Sequence, residues 1–290
     1  ASLVPHAVRP GSAADAPLPP DAPVMILGTG LSMVDAWLEL KARGHRGPVT
    51  ALSRRGLLPR PHLPRRPKPL QGLDVPLGLP SSRLLHWLRG LVRRHAAAGG
   101  EWQDVVDGLR PFNQRIWRAW SPDSRQRFLR HAKTWWDVHR HRVAPHIHAR
   151  LAAAVEAGEL RLVAGRVGEV EEAGGGFAVE VLPRHAAVEE RIGVARIYDC
   201  TGVVRDVASG AIAIVRFLTD SGLARADSLH LGLDVTVDCA VVDAAGGVSE
   251  RIFALGPLTR GAFFEIEAVP DIRVQAERLA ARLTADVPGD

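Results

Sequence analysis

Four consecutive apolar residues, Val24-Met25-Ile26-Leu27, run into Gly28, and from Leu31 onward the text changes to helical spacing that lasts to Arg43. A short apolar run, a glycine turn and then a helix is the opening of a βαβ unit. Gly44 stops the helix, and residues 48–53 read as a second strand. The first fifty residues thus trace the beginning of a βαβ unit, whose parallel strands require a right-handed crossover.

The turn itself is Gly28-Thr29-Gly30-Leu31-Ser32-Met33. The first glycine permits a tight turn, and the second lets a pyrophosphate approach the backbone. The helix beginning near Leu31 aims unpaired N–H groups and its positive dipole end at the phosphates. Met33 stands where the dinucleotide fingerprint has a third glycine or alanine, so helix and strand lose one route to close packing. The competing reading of the turn is purely structural. The second strand ends at Ser53-Arg54-Arg55, where an acidic residue would bind the ribose hydroxyls of NAD. Arginine there suits a 2′-phosphate, because its fork pairs with two phosphate oxygens, and this favours NADP with NAD as the alternative. Arg54 and Arg55 read equally well as solvating the start of a loop.

After Ser53 the sequence is too rich in Pro and Gly for a helix or central strand as far as residue 80. Residues 81–98, 101–120 and 122–158 carry helical spacing, with Ser81 and Ser121 as caps, and predict an insert of about three helices. From Leu160 the period becomes two. Residues 160–164, 166–171 and 177–182 read as strands, the last two forming a hairpin or meander around Ala-Gly-Gly-Gly. Residues 195–199 form a buried strand that closes on Cys200-Thr201-Gly202. Residues 251–255 form another, running into Gly256-Pro257. A helix is expected over residues 270–285, and the Pro/Ala text of residues 1–20 reads as a linker entered from something upstream. The fold class that follows is α/β: a Rossmann-like parallel sheet with a helical insertion and a small antiparallel β meander.

Composition narrows the function classes. With 46% apolar and 24% charged residues the chain is an ordinary globular one. Its net charge of +5 comes from arginine, since lysine occurs only at Lys41, Lys68 and Lys133, and high-GC coding explains that without a polyanion. Nucleic acid is therefore not expected as a partner. Cys200 and Cys239 form no CxxC pair, which fits a reducing cytoplasm, and no apolar run is long enough to span a bilayer, so no membrane partner is expected. His139, His141, His146 and His148 lie close in sequence, but His-x-His places rings on different helical faces and Pro145 interrupts the segment, so no metal is expected. Neither GxSxG nor HExxH occurs, and Glu265 and Glu267 do not make a glycosidase pair. No catalytic side chain is assignable.

Five segments, in this order, carry a resemblance: ILGTGLSMVD, GHRGPVTALSRRGLLPRPH, HRHRVAPHI, the YDCTG turn, and ALGPLTRGAFFEIEAVPDIRVQA. Together they resemble a bacterial family of FAD/NAD(P)-binding proteins, similar to the two-dinucleotide-domain flavoproteins that include flavin monooxygenases and disulfide reductases. The resemblance implies a split FAD-binding domain with a nicotinamide-type domain inserted in it. Residues 21–194 would be the NAD(P)-binding-like domain, with its helical insertion at 81–158, and residues 195–290 the C-terminal part of the FAD-binding domain. Gly28, Thr29, Gly30, Leu31 and Ser32, with Ser53, Arg54 and Arg55, would meet the nicotinamide nucleotide; Thr201, Gly202, Gly256 and Pro257 would lie near FAD. The segment from Ile266 to Ile272 would lead into a helix whose N-terminus stabilises charge on a reduced flavin ring. Such proteins carry an earlier GxGxxG, and the resemblance implies that this N-terminal FAD-binding segment is missing here and is supplied in cis or by another chain. The expected function is that of a fragment of a FAD- and NAD(P)H-dependent oxidoreductase acting on a small-molecule substrate. The alternative is a non-catalytic nucleotide-binding or assembly module.

Overall fold

The computed structural model describes residues 4, 7–12, 17–66, 68–184, 188–202 and 212–285. They form a mixed α/β structure that divides into two compact units, one made of Ala1–Pro69 with His131–Val203, the other of Leu70–Arg130 with Val204–Asp290.

The first unit is built on a six-stranded sheet. Its strands are β1 (Val24–Leu27), β2 (Val49–Ser53), β3 (Leu160–Ala173), β4 (Gly176–Pro183), β5 (Glu190–Val194) and β6 (Arg196–Asp199), in the order β5-β4-β3-β2-β1-β6. Pairing is parallel from β6 through β1 and β2 to the first part of β3. It is antiparallel from the second part of β3 through β4 to β5. The parallel part is apolar on both faces, as a two-sided sheet requires. Val24, Ile26, Val49 and Ala51 pack with α1 (Leu31–Ala42) and α7 (Pro145–Glu156) through Met33, Trp37, Leu40, Leu151 and Ala154. On the other face Met25, Leu27, Leu52 and Ile197 meet Val179 and Val181 of β4. The sheet therefore curls, and β4 touches β6 although three strands separate them in the sheet order.

Several sequence expectations need revision here. Residues 160–164 and 166–171 are one strand, β3, that changes partner from parallel to antiparallel at Gly165, where Gly165 faces Pro183. Alternation of side chains continues through such a change, so periodicity alone does not reveal it. The strand β5 was not anticipated; its exposed charges, Arg161–Glu190 and Arg191–Glu171 pairs across the surface, hid its alternation. Part of the presumed linker lies on the sheet: Val8 bridges Tyr198 in parallel, its N–H donating to the Ile197 carbonyl at 2.9 Å, and Val4 is buried. Residues 1–3, 5, 6 and 13–16 of that stretch lie outside the described ones.

At the end of α1 the chain turns through Gly44, and the His45 N–H returns to the Leu40 carbonyl at 3.0 Å. The His45 imidazole is buried, its Nε2 has no partner among the described residues, and burial above all, then the charge of Lys41, holds its pKa below the usual 6.5. Because the folded-state value is depressed, the unfolded chain takes up the proton first. The stability from neutral His45 is complete above pH 6.5 and falls as the pH drops below it, by at most about 1.4 kcal/mol per pH unit. Urea midpoints at pH 7.5 and 5.5 are expected to differ less in His45→Leu than in the parent; an equal difference would remove His45 as the cause.

The second unit holds α2 (Ser81–Ala97), α3 (Trp102–Leu109), α4 (Asn113–Ala119), α5 (Pro122–His131), α8 (Ala213–Asp220), α9 (Val269–Ala285) and a two-stranded ribbon of β7 (Ala240–Val242) and β8 (Val248–Phe253). With α6 (Lys133–Arg140) and α7 of the first unit, the described residues from 81 to 156 make six α-helices where three were expected. Short turns at Ser121, Ala132 and His141–Ala144 break the pattern without a glycine to announce them. Neither β7 nor α8 was foreseen, and β8 sits a few residues earlier than the expected strand at 251–255. The core of this unit gathers Val215, Leu233, Val241, Phe263, Ile266 and Leu279. Trp117 is fully buried, stacks on Phe264 at 4.9 Å and donates from its indole N–H to the Gly261 carbonyl at 2.8 Å. No helix among the described residues is long and apolar enough to cross a membrane.

Candidate functional site

Leu27, the last residue of β1, stands opposite Leu52 of β2 and Asp199 of β6. The residues that follow those strands therefore emerge side by side at the carboxyl edge of the parallel sheet. β1 is flanked by β2 on one side and β6 on the other, the position in a strand order at which open α/β sheets bind ligands. Two amides knit this edge: Gly28 N–H donates to the Leu52 carbonyl, and Cys200 N–H to the Leu27 carbonyl, each at 2.8 Å.

Gly28 has φ of 106°, and a Cβ there would lie 2.3 Å from the Cys200 carbonyl oxygen. Only glycine lets β1 leave the sheet this close to the turn after β6. Gly30 differs. Its φ of −84° is open to any residue, and a Cβ would meet no atom of the described residues within 4 Å. Gly30 is the N-cap of α1, no side chain caps the helix, and the first amides turned inward are those of Met33 and Val34, both onto the Gly30 carbonyl. The N–H groups of Gly30, Leu31 and Ser32 have no acceptor among the described residues. These residues are exposed, so the positive end of a 12-residue helix opens at the strand switch with a bare backbone. Met33, the departure from the fingerprint, is fully buried in the core between α1 and the sheet. Helix and strand pack through that side chain instead of through a glycine contact.

Thr29 and Ser53 point elsewhere. The Thr29 side chain is buried, and its Oγ1 donates to the Leu57 carbonyl at 2.7 Å. Its one proton is thereby used, so the 2.8 Å contact with Ser53 has the Ser53 hydroxyl donating to Thr29. Ser53 Oγ in turn accepts the Gly56 N–H at 3.0 Å. The chain from Gly56 through Ser53 and Thr29 to Leu57 pins the loop after β2 onto the turn after β1. Arg54 is exposed at the head of that loop. Arg55 is turned toward α6, where Nη2 donates to the His131 carbonyl at 3.3 Å and the guanidinium lies 5.7 Å from the Trp135 ring centre.

On the other side of β1, Asp199 Oδ1 accepts both the N–H of Thr201 at 3.0 Å and its hydroxyl at 2.6 Å. Gly202 follows with φ of 98° and an open flank. Burial, with the charges of Asp199 and Asp35 adding to it, pushes the Cys200 thiol up to about 12, and its Sγ contacts the Ser32 carbonyl at 3.4 Å. In the second unit the Gly256 N–H donates to Gln275 Oε1 at 2.8 Å, and Pro257 is the second residue of the 3-10 turn Gly256–Thr259. The first turn of α9 carries Asp271, paired with Arg110 at 3.2 Å, so a carboxylate already complements that helix end. Of the histidines, His139 lies on α6 and contacts the Trp135 carbonyl, while His146 and His148 lie on α7. Among the described residues no three His, Cys, Asp or Glu side chains come together to hold a metal ion.

Sequence reasoning named the strand edge and the bare helix end, and the structure brings Gly28, Gly30, Leu31 and Ser32 together there. It missed Gly56 and the Leu57 carbonyl, because a carbonyl acceptor leaves no mark in sequence. It also missed Asp199 as the partner of Thr201, although Asp-x-Thr is a recognisable local hydrogen-bonding pattern.

No protein-family model matches the sequence, and no curated protein does. Solved structures do match in fold. Ornithine hydroxylase from Pseudomonas aeruginosa in its reduced form aligns with a TM-score of 0.55 at 12% identity, over 91% of this chain and 53% of its own. Ornithine N-hydroxylase from Kutzneria sp. 744, with reduced FAD, NADP+ and L-ornithine, aligns with a TM-score of 0.53 at 12% identity, over 94% and 56%. L-lysine 6-monooxygenase from Pseudomonas syringae aligns with a TM-score of 0.51 at 16% identity, over 98% and 62%. The chain thus has the fold of proteins built from two dinucleotide-binding domains, and it spans between about half and three-fifths of the length of these matches.

Proposed function

We propose that the crevice at the end of β1 binds the diphosphate of NADP(H), and that the chain is part of a flavin-dependent oxidoreductase or monooxygenase acting on a small organic molecule. The observation that carries this reading is the amino end of α1: the amides of three exposed residues, without acceptors among the described residues, at the strand switch beside a glycine with open space where a side chain would be. A diphosphate accepts from such amides and is drawn by the helix dipole. Arg54 at the head of the β2 loop supports NADP over NAD.

FAD would supply the redox chemistry when bound, accepting electrons from the nicotinamide and passing them on. Gly202 fits a nucleotide contact, since its backbone is open on one flank, whereas the amide of Gly256 is committed to Gln275 and offers no donor. The remainder of the FAD site is assigned to a segment outside this sequence, in cis or on another chain. Residues 21–194 serve as the NAD(P)-binding-like domain in this reading, and residues 195–290 as part of the FAD-binding domain. The two unbridged, buried thiols support a cytoplasmic setting.

The test is spectroscopic. The intact gene product, purified and supplied with FAD, is expected to be yellow and to bleach near the flavin band when NADPH is added without oxygen. A yellow protein that NADPH leaves unbleached would remove the nicotinamide half of the reading. A colourless protein that gains nothing from FAD would remove the flavin half, and tight nucleotide binding in that case would mark a non-catalytic binding module.

A further inference from the structure

We infer that a groove along α2 is a binding site for a small anionic amphiphile, an apolar chain or ring that carries a phosphate or carboxylate head. The inference goes beyond the nucleotide reading and shares no residue with it. The groove has a volume of about 730 Å³, ample for a small molecule, and runs from Leu79 and Pro80 onto one face of the helix. Arg83, Trp87, Gly90 and Arg94 follow one another four, three and four residues apart, so they share that face. Leu84, Leu88 and Leu91 occupy a different face, where Leu84 is buried and the other two are half-buried. The groove is therefore separate from the side of α2 that packs on its own unit.

The surface of the groove is almost wholly carbon, although three of its lining residues are arginines, so these present their methylene stems to it. Gly90 stands near the middle of the 17-residue helix, where glycine is the least favourable residue after proline. Among the described residues the only atom within 4 Å of a Cβ built there is Arg94 Nη1, at 3.3 Å. The absent side chain thus leaves space beside a guanidinium. Along its length α2 carries four arginines and no carboxylate, and Arg89 and Arg93 repel one another across one turn. None of the four guanidiniums has a hydrogen-bond or ion-pair partner among the described residues. An anionic head accepts from them, while an apolar body covers Trp87 and the space at Gly90. A membrane surface fits less well, because α2 exposes no large apolar side chain, and helices that lie in a bilayer interface turn such side chains outward.

The experiment is calorimetric titration of the intact gene product with octyl phosphate below its micelle concentration, beside 1-octanol and inorganic phosphate. Octyl phosphate is expected to bind at least about tenfold more tightly than either fragment, because head and body are held by different parts of the groove. Gly90→Leu fills the groove and should abolish that binding. The same variant should raise the urea midpoint, since leucine is the better helix former and the flexible end of Arg94 can yield to it. Arg83→Gln/Arg94→Gln should weaken octyl phosphate about tenfold and leave octanol as in the parent. Absence of octyl phosphate binding, equal affinity for either fragment, or unchanged binding in Gly90→Leu would overturn the site. Binding lost in Gly30→Val but kept in Gly90→Leu would place the probe at the α1 turn and overturn it as well. Retention on phosphatidylglycerol vesicles without binding of soluble octyl phosphate would assign α2 to a membrane surface instead. If Gly90→Leu loses its folded circular dichroism, the arginine pair decides: unchanged affinity for octyl phosphate in that variant rejects the inference.

Discussion

Valine at position 30 is expected to abolish nicotinamide-nucleotide binding while leaving the fold almost untouched. The backbone at Gly30 has φ of −84°, which valine adopts, and no atom of the described residues lies within 4 Å of the added Cβ. Its cost to stability is that of a poorer N-cap, about 1 kcal/mol or less. The added side chain stands at the N-cap of α1, next to the Leu31 and Ser32 amides, which have no acceptor among the described residues. Losing two or more charge-assisted contacts to a diphosphate corresponds to at least about a hundredfold in affinity. Calorimetric titration with NADP+, beside a urea unfolding curve, separates the two effects. Unchanged affinity would show that the bare helix end does not face the ligand.

Gly28→Ala is expected to do the reverse, and to damage the fold severely. Alanine at φ of 106° is strained whatever the space, and the space does not exist: the new Cβ would sit 2.3 Å from the Cys200 carbonyl oxygen and 2.8 Å from its carbon. Both neighbours are backbone, so relief requires β1 and the turn after β6 to part. The Cys200 N–H to Leu27 bond and the Gly28 N–H to Leu52 bond lie in the way of that movement. Backbone strain and overpacking together cost about 4 kcal/mol, a large share of a domain's total stability. The urea midpoint reports it, and a loss under about 1 kcal/mol would mean that the two strand ends are not locked at this distance. Two glycines one residue apart thus answer different demands, one from within the protein and one from outside it.

The parallel part of the fold was legible because each of its parts leaves a local mark. Val24 to Leu27 is apolar on both faces, Gly28 and Gly44 punctuate the first helix, and Asp199-Cys200-Thr201-Gly202 ends a strand with a turn. The helical region was less legible. Its helices are short, and they are separated by residues such as Ala132 and Ser121 that also occur within helices, so three periodic stretches concealed six elements. The change of partner within β3 was hidden for a different reason. Parallel and antiparallel pairing make the same demand on alternate side chains, and only the neighbouring strand distinguishes them. At the candidate site the glycines carried their own explanation, whereas the purposes of Thr29 and Ser53 depended on Leu57 and Gly56, residues with no chemical signature of their own.

The two cysteines have a practical consequence. Cys200 and Cys239 are both buried, and burial raises the pKa of each thiol, so neither presents a thiolate to solvent near neutral pH. Maleimide or iodoacetamide chemistry would therefore pass over the native chain while it remains folded. A single cysteine introduced on the Arg54 loop could carry a fluorophore or spin label without first deleting either natural thiol, and nucleotide binding beside that loop could then be followed directly in solution.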